Sequence, residues 1–212
     1  MGGIDEWGPR VSAGVALAVY VIGLAGAFGV RAWLHRRRTG DSGVRRTPAR
    51  HPAGRMGVVL FIGALLLCGA GLVGALLAPQ LRWEAPGVVS WAGLLVAAVG
   101  LAAVFVAQAA MGASWRVGVD PDEVTELVTT GPFALVRNPI FSAMGLTLVG
   151  VTLLVPSAAT VLALVAFCVG VQLQVRLVEE PALARLHGDR YRQYASTVGR
   201  FLPDLTRGRS TS

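Results

Sequence analysis

Five long runs of mostly apolar residues set the strongest constraint on this chain. They cover residues 11–34, 57–78, 88–112, 139–156 and 157–178. A helix needs about 20 apolar residues to cross roughly 30 Å of hydrocarbon, where the backbone must satisfy its own hydrogen bonds. The chain is therefore predicted to be an all-α integral membrane protein with five transmembrane helices.

The segments between and after these runs are short. Because Pro156 leaves almost no loop between the last two runs, they are expected to form a tight helical hairpin. Residues 181–187 and 190–198 predict short cytoplasmic helices separated by Gly188. The chain then divides into the first three transmembrane helices with an arginine-rich loop at 35–56 (residues 1–112), a second part (113–203) and a disordered tail (204–212).

Arginine carries the whole basic excess of the chain. All 19 basic residues are arginine, against 12 acids, for a formal net charge of +7. They cluster beside the apolar runs, which favours anionic lipid headgroups over nucleic acid as the partner. Seven lie in the loop 35–56 and six follow residue 178, so the loop and the carboxy terminus are predicted to be cytoplasmic and the amino terminus outside. The Arg- and Ala-rich composition suggests a bacterial plasma membrane.

The histidines and cysteines give no sign of a metal site. His35, His51 and His187 are scattered without the spacing of metal ligands, and Cys68 and Cys168 lie alone inside apolar runs. Two free thiols and no bound metal are the expectation.

The first polar motif is GPFALVRNPIF, residues 131–141. Asn138 before Pro139 is a typical helix start, with asparagine capping and proline at the first position. Arg137 beside that helix amino terminus would form an anion site at the membrane face. The alternative is an arginine that reaches out to a lipid phosphate.

The second motif, QLQVRLVEEP at residues 172–181, ends the last run. Helical spacing places Gln172, Arg176, Glu179 and Glu180 on one face. Adjacent glutamates at a helix carboxy terminus oppose the helix dipole, and polar side chains at membrane depth cost free energy. Since stability alone would not select these residues, a functional role is the favoured interpretation. A purely structural Arg176–Glu180 ion pair is the alternative.

The third motif is GDRYRQYASTVGRFLP, residues 188–203, in which Tyr191 and Tyr194 are one helical turn apart. By itself this motif is explained equally well by an amphipathic helix at the membrane interface and by a functional site.

Taken together and in order, the three motifs resemble those of the isoprenylcysteine carboxyl methyltransferase family and its phospholipid-methylating relatives, over roughly residues 111–203. The resemblance implies a membrane enzyme that uses S-adenosylmethionine, with residues 113–203 as the cofactor-binding core. It also implies methyl transfer to a lipophilic or amphiphilic acceptor, most simply a carboxylate.

The resemblance carries over residue by residue. It implies catalytic roles for Arg176, which could orient the acceptor, and for Glu180. It implies that the cofactor is contacted by Glu126, Leu127, Val128, Phe133, Arg137, Asn138, Pro139, Phe141, Glu179, Glu180 and Tyr191.

Two departures from the family pattern affect the chemistry, since Asn138 replaces a histidine and Phe141 a tyrosine. Asn138 can donate a hydrogen bond but cannot accept a proton near neutral pH. A carboxylate acceptor needs no such base, because it is already ionised.

Two other functions remain open from the sequence. A sterol-reductase-like membrane enzyme would use NADPH instead, and a small transporter or lipid-binding protein would need no cofactor. The identity of the methyl acceptor and the oligomeric state do not follow from the residues.

Overall fold

The computed structural model describes residues 8–40, 52–112 and 126–204. Half of the arginine-rich loop, including His51, and the predicted disordered tail beyond Asp204 lie outside these ranges. Every regular element in the described ranges is a helix, as the sequence predicts.

The described residues form eight α-helices. The first, α1, runs into α2 through a π-helical turn at Ala25–Val30, and a second π-helical turn at Val175–Glu179 joins α7 to α8. A single 3-10 turn at Pro79–Leu81 lies between α3 and α4. The bounds are α1 Pro9–Leu24, α2 Arg31–Thr39, α3 Pro52–Leu77, α4 Gly87–Met111, α5 Pro132–Leu135, α6 Pro139–Leu154, α7 Ala158–Gln174 and α8 Glu180–Thr197.

Four helices of the described residues are long and apolar enough to cross a membrane. They are Pro9–Leu34, Gly54–Leu77, Gly87–Met111 and Ala158–Thr197, and they indicate a multi-pass membrane protein. The fifth predicted span, α6, has 16 residues and is about 24 Å long, because prolines lie at both of its ends. A full crossing by α6 therefore stays a prediction.

The helices pair as α4 with α6 and α3 with α7. The turn between α6 and α7 is as short as predicted, and Ser157 and Thr160 form a capping box at the start of α7. Helices α6 and α7 touch each other, but α6 packs more extensively on α4, and α7 packs more extensively on α3. The predicted hairpin is thus a tight connection between two larger helix pairs.

Glycine makes the α4–α6 pair close. A Cβ atom on Gly150 would lie 2.3 Å from the Ala97 amide nitrogen, and one on Gly100 would lie 2.5 Å from that of Thr147. Such distances leave no room for a side chain, which is how small residues bring helices together in lipid. The contacts also show that the two helices are antiparallel.

The helix α1 is tied to α4 near the end of the bundle where α6 begins. In the first π-helical turn, the Ala27 carbonyl accepts a hydrogen bond from Gln108 Nε2 at 2.9 Å. Arg31 Nη2 then donates to the Gln108 and Gly112 carbonyls at 3.0 and 2.8 Å. A cation on the last carbonyls of α4 complements that helix dipole.

Candidate functional site

A cluster of charged side chains forms around Glu180, the first residue of α8. Arg137 Nη1 lies 3.0 Å from Glu180 Oε1. Arg200 binds the same carboxylate with two hydrogen bonds, from Nε to Oε1 at 2.7 Å and from Nη2 to Oε2 at 2.8 Å. The hydrogen bond to Glu180 raises the pKa of Arg200. Two guanidinium groups against one carboxylate leave a single positive charge uncompensated among these three residues.

The segment after α8 places Arg200 in this cluster. It returns alongside the α5–α6 junction, where Val136 and Gly199 form a single parallel bridge. The amide nitrogens of Arg137 and Asn138 donate to the carbonyls of Gly199 and Arg200 at 2.8 and 3.0 Å. These backbone bonds fix Gly199 and Arg200 against the first motif.

A sharp kink at Gly188 lets α8 reach back to that junction. Its φ of 55° and ψ of −128° interrupt the helix where the sequence predicted a break, and only glycine adopts such angles readily. Past the kink, Tyr194 Oη donates to the Phe133 carbonyl at 2.6 Å. The Tyr191 hydroxyl accepts a longer bond, 3.5 Å, from Arg137 Nη1.

Asn138 differs from its prediction in one respect. It flanks α6, and Pro139 opens the helix, as expected, but its side chain forms no capping hydrogen bond. The Nδ2 group instead donates to the Arg200 carbonyl at 3.2 Å. The returning segment provides this acceptor, which cannot be foreseen from the local sequence.

The predicted polar face of the second motif is divided by the second π-helical turn. Such a turn inserts a residue and changes the i,i+4 register. Arg176 is exposed and donates from Nε to Gln172 Oε1 at 2.9 Å, whereas Glu180 faces Arg137 and Arg200. The structural alternative of an Arg176–Glu180 pair is therefore wrong. Arg176 lies outside the cluster, and its role in orienting the acceptor stays a prediction.

The remaining predicted residues fall into two groups. Leu127, Phe133, Pro139 and Tyr191 are buried, whereas Val128 is half-buried and Glu126 exposed. The Phe141 ring instead packs edge-on against Phe61 of α3, with 6.0 Å between ring centroids, and so belongs to the core of the bundle.

Sequence reasoning overlooked two residues, Arg200 and Gln174. Arg200 was visible as part of the RFLP pattern, but no spacing rule indicates that it reaches Glu180, 20 positions earlier. Gln174 was missed because it lies off the i,i+4 face. Gln174 is only 9% exposed and precedes the second π-helical turn, and the half-buried Glu179 ends that turn.

Three buried polar atoms on the elements of this site have no hydrogen-bond partner within the described ranges. They are Arg137 Nε, Gln174 Oε1 and His187 Nε2. Buried polar atoms are nearly always paired, so these three atoms have free capacity to bind a polar ligand. A donor on Arg137 and an acceptor on Gln174 fit the carboxylate and ammonium of an amino acid. Over the same ranges, no cluster of side chains suits a metal ion.

A small cavity lies elsewhere in the bundle. It measures about 40 Å³, lies between α1, α3, α4 and α6, and is lined by residues that include Tyr20, Phe28 and Met144. None of its lining residues belongs to the charged cluster.

The fold and the cluster define a helical membrane protein with a polar, partly buried site at one end of its bundle. A comparison with known protein families narrows the class of membrane protein. Residues 88–190 match the family described as phospholipid methyltransferase (PEMT), the same family as the isoprenylcysteine carboxyl methyltransferases. The predicted resemblance is thereby confirmed, and the family supports a membrane methyltransferase. No curated protein matches the chain.

Proposed function

We propose that the protein is an S-adenosylmethionine-dependent methyltransferase that acts on a lipophilic or amphiphilic acceptor and methylates a carboxylate group of that acceptor. The observation that carries the proposal is the Arg137–Glu180–Arg200 cluster, within and beside the segment that matches the family. Its excess positive charge and the unpaired Nε of Arg137 suit an anionic group.

Arg137 is the residue proposed to hold the carboxylate of the cofactor's amino-acid end. Its Nη1 is engaged with Glu180, but its Nε is buried and available. Glu180 itself is better described as a positioning residue, because both of its oxygens are bound by arginine. It holds two guanidinium groups in place and so fixes the direction in which Arg137 donates.

The apolar residues around the cluster have a second role. Leu127, Phe133 and Tyr191 are buried and would exclude water from bound cofactor. When bound, S-adenosylmethionine supplies a methyl group activated by a sulfonium. The chain then needs only to align an acceptor in line with it, since an ionised carboxylate requires no base and Asn138 could not act as one.

The same end of the bundle is proposed to face the cytoplasm, in a bacterial plasma membrane. Exposed arginines of α2 and the start of α3 lie in segments that meet this end, as do Arg185 and Arg190 of α8. An excess of arginine beside membrane spans marks the cytoplasmic side.

A transfer assay tests the proposed reaction. Purified protein in detergent is given S-adenosylmethionine with a radiolabelled methyl group and a series of amphiphilic carboxylic acids. We expect label in the lipid fraction that mild base releases as methanol, as methyl esters do. Arg137→Met should abolish it, whereas Arg82→Met, in the loop between α3 and α4, should not.

Base-stable label would show that a nitrogen or carbon atom is methylated and would overturn the carboxylate acceptor. Equal activity of the two variants would contradict the role of Arg137.

A further inference from the structure

We infer that Arg31, the first residue of α2, is a positioning residue that holds the end of α4 in the place that cofactor binding requires. This inference rests on the proposed function and extends it to a residue outside the segment that matches the family, residues 88–190. Arg31 lies 77 and 81 positions before the two residues whose carbonyls it binds, Gln108 and Gly112. None of the three sequence motifs contains it.

The contact between Arg31 and α4 is the last of three along the same stretch of that helix. At Gly26, an added Cβ atom would lie 2.5 Å from the Cζ atom of the Phe105 ring. One residue later, the first π-helical turn accepts a hydrogen bond from Gln108 Nε2 at 2.9 Å. Arg31 Nη2 then donates to the Gln108 and Gly112 carbonyls at 3.0 and 2.8 Å. Because these contacts follow one another from residue 105 to residue 112, the π-helical turn and the start of α2 fix the end of α4.

The guanidinium group of Arg31 binds the carbonyl end of α4. The last four carbonyls of an α-helix lack a donor within the helix, and they carry the negative end of the helix dipole. A cation that donates to two of them is held more strongly than a neutral donor would be. Arg31 therefore anchors α4 from a different helix and fixes the direction in which α4 ends.

The same end of α4 supports α5, which carries part of the candidate site. A Cβ atom on Gly131, at the start of α5, would lie 3.9 Å from the Ala110 Cβ. Phe133 of α5 is buried, and its carbonyl accepts from Tyr194 Oη on α8. Arg137, the proposed carboxylate donor, follows two residues after α5 ends. Since α5 lies between the end of α4 and α8, a displaced α4 would move Phe133 and Arg137 together, and small misplacements weaken binding and catalysis steeply.

Calorimetric titration of Arg31→Met with S-adenosylhomocysteine tests the inference. Methionine keeps an apolar stem and removes every donor. We expect binding roughly tenfold weaker than in the wild type, or worse, with the number of sites per chain unchanged. The number of sites separates positioning from stability, because unfolded chains bind nothing and lower that number, whereas misplaced binding residues weaken the dissociation constant of every folded chain. Arg31→Lys, which keeps a cation that can reach the carbonyls, should recover most of the lost affinity.

Gly71→Ala is the matched control for a purely structural loss. Gly71 of α3 lies toward the opposite end of the bundle, where an added Cβ atom would be 2.7 Å from the Ala159 Cβ. This variant should be less stable and bind with an unchanged dissociation constant.

Gln108→Leu tests the same inference without altering Arg31. It removes the hydrogen bond to the first π-helical turn and leaves the backbone carbonyls that Arg31 binds. We expect weaker binding of S-adenosylhomocysteine here too. If Arg31→Met does not fold, an unchanged dissociation constant of Gln108→Leu overturns the inference.

The outcomes separate the inference from the proposed function. If the wild type does not bind S-adenosylhomocysteine, the proposed function fails, and the inference fails with it. If the wild type binds and Arg31→Met binds with the same dissociation constant, the positioning role is overturned while the function stands. A fall in the number of sites alone, or an equal weakening in Gly71→Ala, would assign Arg31 to stability and would also overturn the inference.

Discussion

At the scale of single residues, Glu180 connects three parts of the chain. It begins α8, Arg137 precedes α6, and Arg200 lies in the returning segment. The side chains of Glu180, Arg137 and Arg200 are 16%, 12% and 28% exposed, so water screens their charges only partly. Removing one member of such a group leaves the others charged and unpaired, which costs more than the pair itself contributes.

Glu180→Gln should therefore destabilise the protein. The change keeps the shape but removes the charge that two guanidinium groups share. We expect a loss of about 2 kcal/mol or more in the free energy of unfolding, measured by denaturation in detergent. Limited proteolysis should also cut near Arg200 faster, because the returning segment loses its anchor.

Asp189→Asn gives the matched control on the same helix. Asp189 also pairs with an arginine, Arg192, at 2.6 Å, but the two side chains are 97% and 64% exposed. Exposed pairs contribute little to stability. Equal losses of unfolding free energy for Glu180→Gln and Asp189→Asn would contradict the importance assigned to the partly buried cluster.

The residues of the site could be predicted only where the chain is locally regular. Motif order suggested that Arg137 and Tyr191 lie close together, and the two side chains are in contact in the structure. The structural alternative named the wrong partner for Glu180, because i,i+4 spacing pointed to Arg176. The true partners come from segments 43 and 20 positions away, at Arg137 and Arg200, and only the tertiary fold brings them close.

At the scale of elements, the α4–α6 pair supports the site because α6 carries its first motif at its amino terminus. The two helices approach so closely at Gly93, Ala97 and Gly150 that backbone meets backbone. Close packing of this kind is sensitive to single added carbons.

Gly150→Ala should force α4 and α6 apart. The added Cβ would lie 2.3 Å from the Ala97 amide nitrogen, which is backbone and cannot rotate away. We expect a loss of about 1–3 kcal/mol in unfolding free energy in detergent. Gly63→Ala, where nothing lies within 4 Å of the added atom, should be close to neutral, and a comparable loss there would count against the interface.

The type of each secondary-structure element could be predicted from the sequence more readily than its internal irregularities and its packing partners. Apolar periodicity and prolines predicted the helices and most of their ends, and Gly188 predicted the kink in α8. The two π-helical turns could not be predicted, because each is stabilised by contacts with other helices, as the Gln108–Ala27 hydrogen bond illustrates. The helix pairing was also hidden, since glycines recur in every span and do not reveal their partners.

At the scale of the whole molecule, the bundle has two different ends. The loop at 82–86 meets the α6–α7 turn, where Trp83 donates to the Pro156 carbonyl at 2.7 Å. The charged cluster lies at the opposite end, together with most of the arginines that the structure describes. The proposed orientation puts the cluster inside the cell and the loop outside.

Cysteine labelling in intact cells checks this orientation. In a background with Cys68→Ala and Cys168→Ala, the variants Glu84→Cys and Gln193→Cys each present one exposed thiol. A membrane-impermeant maleimide should label Glu84→Cys at once and Gln193→Cys only after permeabilisation. The reverse pattern would invert the proposed topology.

Calorimetric titration of the purified wild-type protein tests the central claim most directly. The account predicts saturable binding of S-adenosylmethionine and of S-adenosylhomocysteine, with one site per chain, and no binding of NADPH. Arg137→Met should weaken both interactions, because it removes the proposed carboxylate donor. Absence of binding by the wild type at high micromolar concentrations of either ligand, or binding of NADPH in their place, would contradict the account.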